Sequence, residues 1–293
     1  MPLLPKLREY ARLIRFSHTV FALPFALAAV VLAWPTHPVG LRTSIWILVA
    51  MVGARTAAMG FNRLADRDVD ALNPRTQGWE LPQGKVKVWE VILLTGCSAL
   101  VFIFAAYQLN WLCFILSPVA LAIVFLYSYT KRFTWTCHLV LGLALSLAPM
   151  GAWLAVTGAP ESLGSVRIPF FLGLAVLFWL AGFDVLYSLQ DRDFDRAQGL
   201  HSIPARFGIV QSLSLSTLFH SLTILFLFLV GISAGLGAIY WVGLVLVSAT
   251  ILWEHRLVGP NDLSRINRAF FDFNAYVSIG YLLTTLGDLI WPI

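Results

Sequence analysis

Apolar residues run through this chain in blocks separated by short charged joins. Nine of these blocks, near 17–34, 44–62, 88–108, 110–129, 135–156, 168–190, 210–232, 236–254 and 269–290, are apolar enough to predict helices. Each has about the 17–25 residues that a helix needs to cross the hydrocarbon of a bilayer. The joins at Gln108–Asn110 and Gly235–Gly237 are so short that the helices flanking them must be antiparallel neighbours. The pattern predicts an all-α integral membrane bundle of nine transmembrane helices, forming a single domain over residues 1–293.

Composition agrees and narrows the class. The chain is 59% hydrophobic and 12% charged, with a mean hydropathy of +0.79. Soluble chains carry about 25% charged residues, and no soluble core hides this much apolar surface. The 11 Trp suit the two membrane interfaces. The segment after Phe21 has the length of a span and no convincing small-residue cleavage site, so it reads as a helix rather than a signal peptide. Cys97, Cys113 and Cys137 are scattered in or beside apolar helices and form neither a disulfide framework nor a metal set.

The basic residues give an orientation. Lys6, Arg8, Arg12 and Arg15 precede the first span. Arg63, Arg67, Arg75, Lys85 and Lys87 follow the second. Lys131, Arg132, Arg192, Arg196, Arg206, Arg256, Arg265 and Arg268 fall in later loops of the same side. The opposite loops hold Arg42 and Arg167, and Arg55 lies within a helix. The positive-inside rule then makes the N-terminus and the large loops cytoplasmic, in the inner membrane of a cell. The isoelectric point of about 9.3 reflects this topology and not nucleic-acid binding.

Acidic residues break the apolar pattern at two places. Asn62-Arg-Leu-Ala-Asp66-Arg-Asp68-Val-Asp70 follows the second span, and Asp184-Val-Leu-Tyr187-Ser-Leu-Gln-Asp191-Arg-Asp193-Phe-Asp195 ends the sixth. Together they hold seven of the 15 acidic residues, on the cytoplasmic side, as candidates for one shared site. On a helix, residues four apart share a face. Asn62, Asp66 and Asp70 form one polar stripe, Asp184, Tyr187, Asp191 and Asp195 another, and Asp68 and Asp193 point away. Carboxylates one turn apart repel unless a cation neutralises them. Their hard oxygens suit Mg²⁺, which bridges one or two carboxylates to substrate phosphates. Two such stripes brought together would hold two Mg²⁺ ions around a diphosphate. The Asp-Arg-Asp-x-Asp pattern occurs in both clusters, four helices apart, which suggests two four-helix halves plus one further helix. Solvated loop acids paired with neighbouring Arg are the plainer alternative.

With these motifs the chain resembles the UbiA-type superfamily of membrane prenyltransferases. Asn62, Asp66 and Asp70 match its first motif, and Asp191 and Asp195, preceded by Tyr187, match its second. Tyr127-Ser-Tyr-Thr-Lys131-Arg132 and the 199–208 segment are similar too. The runs 16–25, 73–76 and 182–187 are closest to 4-hydroxybenzoate polyprenyltransferases and the similar enzymes of the futalosine route to menaquinone. The resemblance implies transfer of a polyprenyl group from polyprenyl diphosphate to a hydroxylated aromatic acid in quinone biosynthesis. One position departs from it: Trp79 stands before Leu-Pro where relatives usually carry a basic residue.

Roles follow from the chemistry. Breaking an allylic C–O bond leaves a diphosphate anion and a carbocation, and metal ions stabilise the leaving charge. Asp66, Asp70, Asp191 and Asp195 are the expected metal ligands, with Asn62 as a supporting ligand. Arg67, Lys131 and Arg132 are expected to clamp phosphate oxygens, or else serve only as topological charges. Arg55, a cation inside a span, is expected to bind the acceptor's carboxylate or to steady the acids. Arg15 and His18 are weaker candidates on the acceptor side. Asp184 would orient the phenol or take the ring proton, or simply pair with Arg55. Phe125, Tyr127, Phe183 and Tyr187 are candidates for an aromatic, water-excluding lining. An ion-coupled transporter would place its acids at the bilayer midplane on broken helices. The contiguous pattern of the CDP-alcohol phosphotransferases is absent.

Overall fold

A computed structural model describes residues 3–15, 19–162 and 164–292. In chain order the helices are α1 Leu3–Leu13, α2 Thr19–Ala33, α3 Leu41–Ala65, α4 Arg67–Leu72, α5 Val88–Leu109, α6 Trp111–Thr130, α7 Cys137–Thr157 and α8 Arg167–Ser188. They continue as α9 Arg192–Ala197, α10 Ile203–Ala234, α11 Ala238–Leu257, α12 Ile266–Arg268 and α13 Asn274–Ile290. Among the described residues there is no β-strand, only an isolated bridge between Gly259 and Asp262.

Each predicted block holds one long helix. Seven of these, α3, α5, α6, α7, α8, α10 and α11, are long and apolar enough to cross a membrane. The other two are shorter among the described residues: α2 has 15 residues, and α13 has 17 and follows a π-helical turn at Ala269–Phe273. Large apolar side chains such as Leu100, Val245 and Leu246 stay exposed on the helix surfaces. That is costly in water and natural in lipid, where every backbone polar group is already satisfied within its helix.

The chain forms two compact units. The first contains residues 1–19 and 40–129, hence α1 and α3–α6. In it α3 packs closely on α5, because Gly53 lies against the backbone at Ser98 and Phe102 and Gly60 against Thr95. Phe61 of α3 stacks on Phe125 of α6, with ring centroids 4.3 Å apart.

The second unit contains residues 20–39 and 130–293, hence α2 and α7–α13. Its centre is Trp179 on α8, fully buried, with Phe25 of α2 against it at 4.9 Å. Tyr281 of α13 stacks on Phe25 in turn. Helix α11 has no side-chain cap of its own, so Asp288 of α13 supplies one. Its two oxygens accept the N–H groups of Gly237 and Tyr240 at 2.7 and 3.1 Å.

Candidate active site

The two Asp motifs are built alike, one in each unit. Helix α3 stops at Ala65 and α4 starts at Arg67, so Asp66 is the joint, with φ −96° and ψ 6°. A 3₁₀ turn at Leu189–Asp191 follows α8, and Asp191 is the joint to α9, with φ −97° and ψ −1°. The continuous helical stripes expected from the sequence are therefore interrupted at the first Asp of each run. The backbone bends there the same way twice, and the second and third Asp ride on a short new helix.

The middle and last Asp of each run also match. Asp68 is exposed and takes Arg67 Nε at 2.9 Å, and Asp193 is exposed and takes Arg192 Nη2 at 2.7 Å. Both face away, as the helical arithmetic expects. Asp70 and Asp195 are buried and each pairs with a cation. Arg63 Nη1 lies 3.2 Å from Asp70, and Lys131 Nζ lies 2.8 Å from Asp195. A hydroxyl completes each end: Thr76 Oγ1 donates to the Asp70 carbonyl and Ser202 Oγ to Asp195 Oδ2, both at 2.8 Å.

Ser202 is placed by helix-start chemistry. It is the N-cap of α10, followed by Pro204, and its oxygen accepts the Ala205 N–H at 3.2 Å while its proton goes to Asp195. Burial pushes the Asp70 carboxyl above its ordinary pKa, and Arg63 offsets only part of this. For Lys131 burial works against the charge, but Asp195 beside it and Asp191 nearby outweigh it and hold its pKa above the usual value.

These residues fit Mg²⁺. Asn62 Nδ2 donates to Asp66 Oδ2 at 2.8 Å, which leaves the amide oxygen as the atom able to ligate. Within either unit, among the described residues, no three His, Cys, Asp or Glu side chains gather into a cage. Carboxylate and amide oxygens are the hard donors that Mg²⁺ takes alongside water and substrate phosphates.

The other predicted residues lie in several settings. Arg67 pairs with Asp68 at an exposed position, so its observed partner is a carboxylate of its own run. Arg55 is partly buried on α3; its Nη2 donates to the carbonyl of Arg15 at 2.9 Å, and its buried Nε has no hydrogen-bond partner among the described residues. Tyr127 stands in electrostatic range of Arg55. Arg15, in the turn after α1, has φ +49°, a left-handed conformation that costs a non-glycine on the order of 1 kcal/mol. Arg132 is half-buried in the loop after α6. Tyr187 packs on the cluster of Leu186, Leu189, Val258 and Ile266. Phe183 is buried against Trp179, and Phe125 is stacked on Phe61, so both serve packing. His18 lies outside the described residues.

Two features were not foreseen. Asp184 pairs with His138 of α7, whose Nδ1 is 2.6 Å from Asp184 Oδ2. His138 opens an otherwise apolar span, and an ionisable residue there was the available signal. The second feature is Trp79. Arg63, Arg15 and Arg75 place their guanidinium carbons 4.0, 4.5 and 5.5 Å from the centroid of its ring. The indole thus gathers three cations around one ring.

The UbiA prenyltransferase family matches residues 22–277, nearly the whole chain. The chain belongs to the UbiA prenyltransferase family. It is an integral membrane enzyme that transfers prenyl groups. The 4-hydroxybenzoate octaprenyltransferase of Aeromonas salmonicida is 33% identical over 277 residues, covering 89% of this chain and 92% of that protein. The apo structure of a UbiA homolog from Aeropyrum pernix superimposes with a TM-score of 0.84 at 35% identity, covering 92% of this chain and 98% of that one. A UbiA homolog from Archaeoglobus fulgidus, solved bound to DMAPP and Mg²⁺, shares the fold with a TM-score of 0.68 at 22% identity, over 95% of this chain and 99% of that one.

Proposed function

We propose that this enzyme transfers a polyprenyl group from polyprenyl diphosphate to a hydroxylated aromatic acid, with Mg²⁺, in ubiquinone or menaquinone biosynthesis. The observation that carries the reading is the duplicated Asp motif, with Asp66 and Asp191 in the same backbone conformation and the buried Asp70 and Asp195 each met by a cation and a hydroxyl. The relatives named as 4-hydroxybenzoate octaprenyltransferases support the acceptor class. The homolog solved with DMAPP and Mg²⁺ supports the donor and the metal.

In this reading Asn62, Asp66, Asp70, Asp191 and Asp195 hold the metal, two ions in all. When bound, the metal supplies Lewis-acid stabilisation of the departing diphosphate. Lys131 and Arg132 take phosphate oxygens. Arg55, whose buried Nε has no partner among the described residues, takes the acceptor's carboxylate, and Arg15, whose carbonyl holds Arg55, sets its position. Asp184 receives the ring proton, while Tyr127 and Tyr187 line the apolar chamber that shields the cation from water. Residues 1–293 act as one prenyltransferase domain, with the N-terminus and Asp motifs on the cytoplasmic face of the inner membrane.

The test is purified protein with Mg²⁺, a polyprenyl diphosphate, and either 4-hydroxybenzoate or 1,4-dihydroxy-6-naphthoate, with products identified by mass spectrometry. A prenylated product from one acceptor assigns the ring system. No product from either refutes the aromatic-acid reading.

A further inference from the structure

His138 is fully enclosed, and its two ring nitrogens have different partners. The backbone N–H of Ile203 donates to Nε2 at 3.3 Å. Since a backbone N–H can only donate, Nε2 carries a lone pair, and the ring proton must sit on Nδ1. Nδ1–H then donates to Asp184 Oδ2 at 2.6 Å, a short hydrogen bond to a carboxyl oxygen. The backbone therefore sets the tautomer, and the tautomer makes His138 a neutral donor to a carboxylate. His138 is 2% exposed, while the Asp184 side chain is 24% exposed and is the open member of the pair.

The second motif reaches the same imidazole. Ser202 donates to Asp195 Oδ2, and the next residue, Ile203, donates to His138. Lys131, which pairs with Asp195, also accepts the His201 N–H on its carbonyl at 2.7 Å. One turn after His138, Gly142 lets α7 touch the Leu177 carbonyl of α8, the helix that carries Asp184.

We propose that His138 is a positioning residue for the acceptor step: it fixes Asp184 as a carboxylate in one orientation, ready to take the proton that leaves the acceptor ring. This rests on the prenyl-transfer reading. The allylic C–O bond breaks, the diphosphate leaves with that bond's pair, and a π pair of the acceptor ring then forms the new C–C bond to the allylic cation. The ring carbon then releases its proton to Asp184, its C–H pair restores aromaticity, and Asp184 passes the proton to water as product departs. A neutral donor suits this task. An Arg or Lys in its place would put a full positive charge beside the carboxylate and weaken its pull on the ring proton.

The test compares the wild type with His138→Phe, His138→Gln, Asp184→Asn and the double variant His138→Phe/Asp184→Asn. His138→Phe is expected to lower kcat roughly 10–100-fold, with the KM for polyprenyl diphosphate and the Mg²⁺ requirement unmoved. His138→Gln, which keeps a neutral N–H donor, should recover most of the loss. The double variant should be no slower than Asp184→Asn alone, because the histidine acts only through Asp184. If the Phe variant does not fold, His138→Met replaces it.

The proposal is overturned if Phe and Gln are equally impaired, if the loss appears in diphosphate or Mg²⁺ affinity, or if the two single effects multiply. A wild type that transfers no prenyl group overturns the underlying reading and this proposal with it. A wild type that transfers normally while the variants disobey the pattern overturns this proposal alone.

Discussion

Arg63 stacks its guanidinium 4.0 Å over the Trp79 ring while its Nη1 reaches Asp70 Oδ2 at 3.2 Å. One side chain therefore joins the loop tryptophan to the last carboxylate of the first motif. The flat guanidinium makes this possible, since its faces stack while its edges donate. Arg15 and Arg75 share the same ring, and a cation–π contact is worth about 0.5–2 kcal/mol according to its burial. Trp79→Leu should therefore lose roughly 1–2 kcal/mol, read as a lower unfolding midpoint in detergent. Trp79→Phe should retain most of it. An unchanged midpoint in the Leu variant would show that the stacking is idle.

The metal reading predicts that chelation abolishes transfer and added Mg²⁺ restores it. Asp66→Ala and Asp191→Ala should each lower transfer on the order of 100-fold or more, because each removes stabilisation of the leaving diphosphate. Full activity in either variant would remove that motif from metal binding.

Lys131→Met leaves the Asp195 carboxylate enclosed with Ser202 but without its cation. Removing one partner of a fully buried pair costs about 3–5 kcal/mol. Lys131 is a third exposed, so water screens the pair and about 1–3 kcal/mol is expected. The deficit, measured in chelator, should shrink when Mg²⁺ and pyrophosphate are added, since a bound cation replaces the lost charge. A deficit of equal size in both conditions would argue that Asp195 is no ligand.

Arg55→Ala should raise the KM for the aromatic acid about tenfold, the loss of roughly 1.4 kcal/mol of binding, and leave the KM for polyprenyl diphosphate alone. An unchanged acceptor KM would exclude Arg55 from acceptor binding.

Gly142→Ala would drive a methyl group into the Leu177 carbonyl, which is backbone and cannot swing aside. Overpacking of this kind costs about 1–3 kcal/mol. Both the thermal midpoint and kcat should fall, because α7 also carries His138. Wild-type behaviour of this variant would mean the helices have slack at that point.

The long helices were readable because lipid imposes a minimum apolar length that α3, α5 and α10 meet without ambiguity. The acids were readable because charge is expensive at that boundary, so Asp66, Asp70, Asp191 and Asp195 stood out. Spacing alone did not reveal the joints at Asp66 and Asp191, since a 3.6-residue period assumes the helix continues. Pairings across long separations were equally hidden. Lys131 and Asp195 meet only because the 199–203 backbone returns along the loop before α7, and His138 reaches Asp184 only because α7 and α8 touch at Gly142. Arg63 read as a topological charge until its partner Asp70 and its stacking surface Trp79 were both in view.

The adjacent residues Ser202 and Ile203 answer to two different carboxylates, Asp195 and, through His138, Asp184. For anyone redesigning this enzyme, that adjacency sets the size of the transplantable piece. A new acceptor preference grafted at α7 alone would part the imidazole from the Ile203 N–H that sets its tautomer. Segments 131–138 and 195–203 therefore have to be exchanged together, as one cassette.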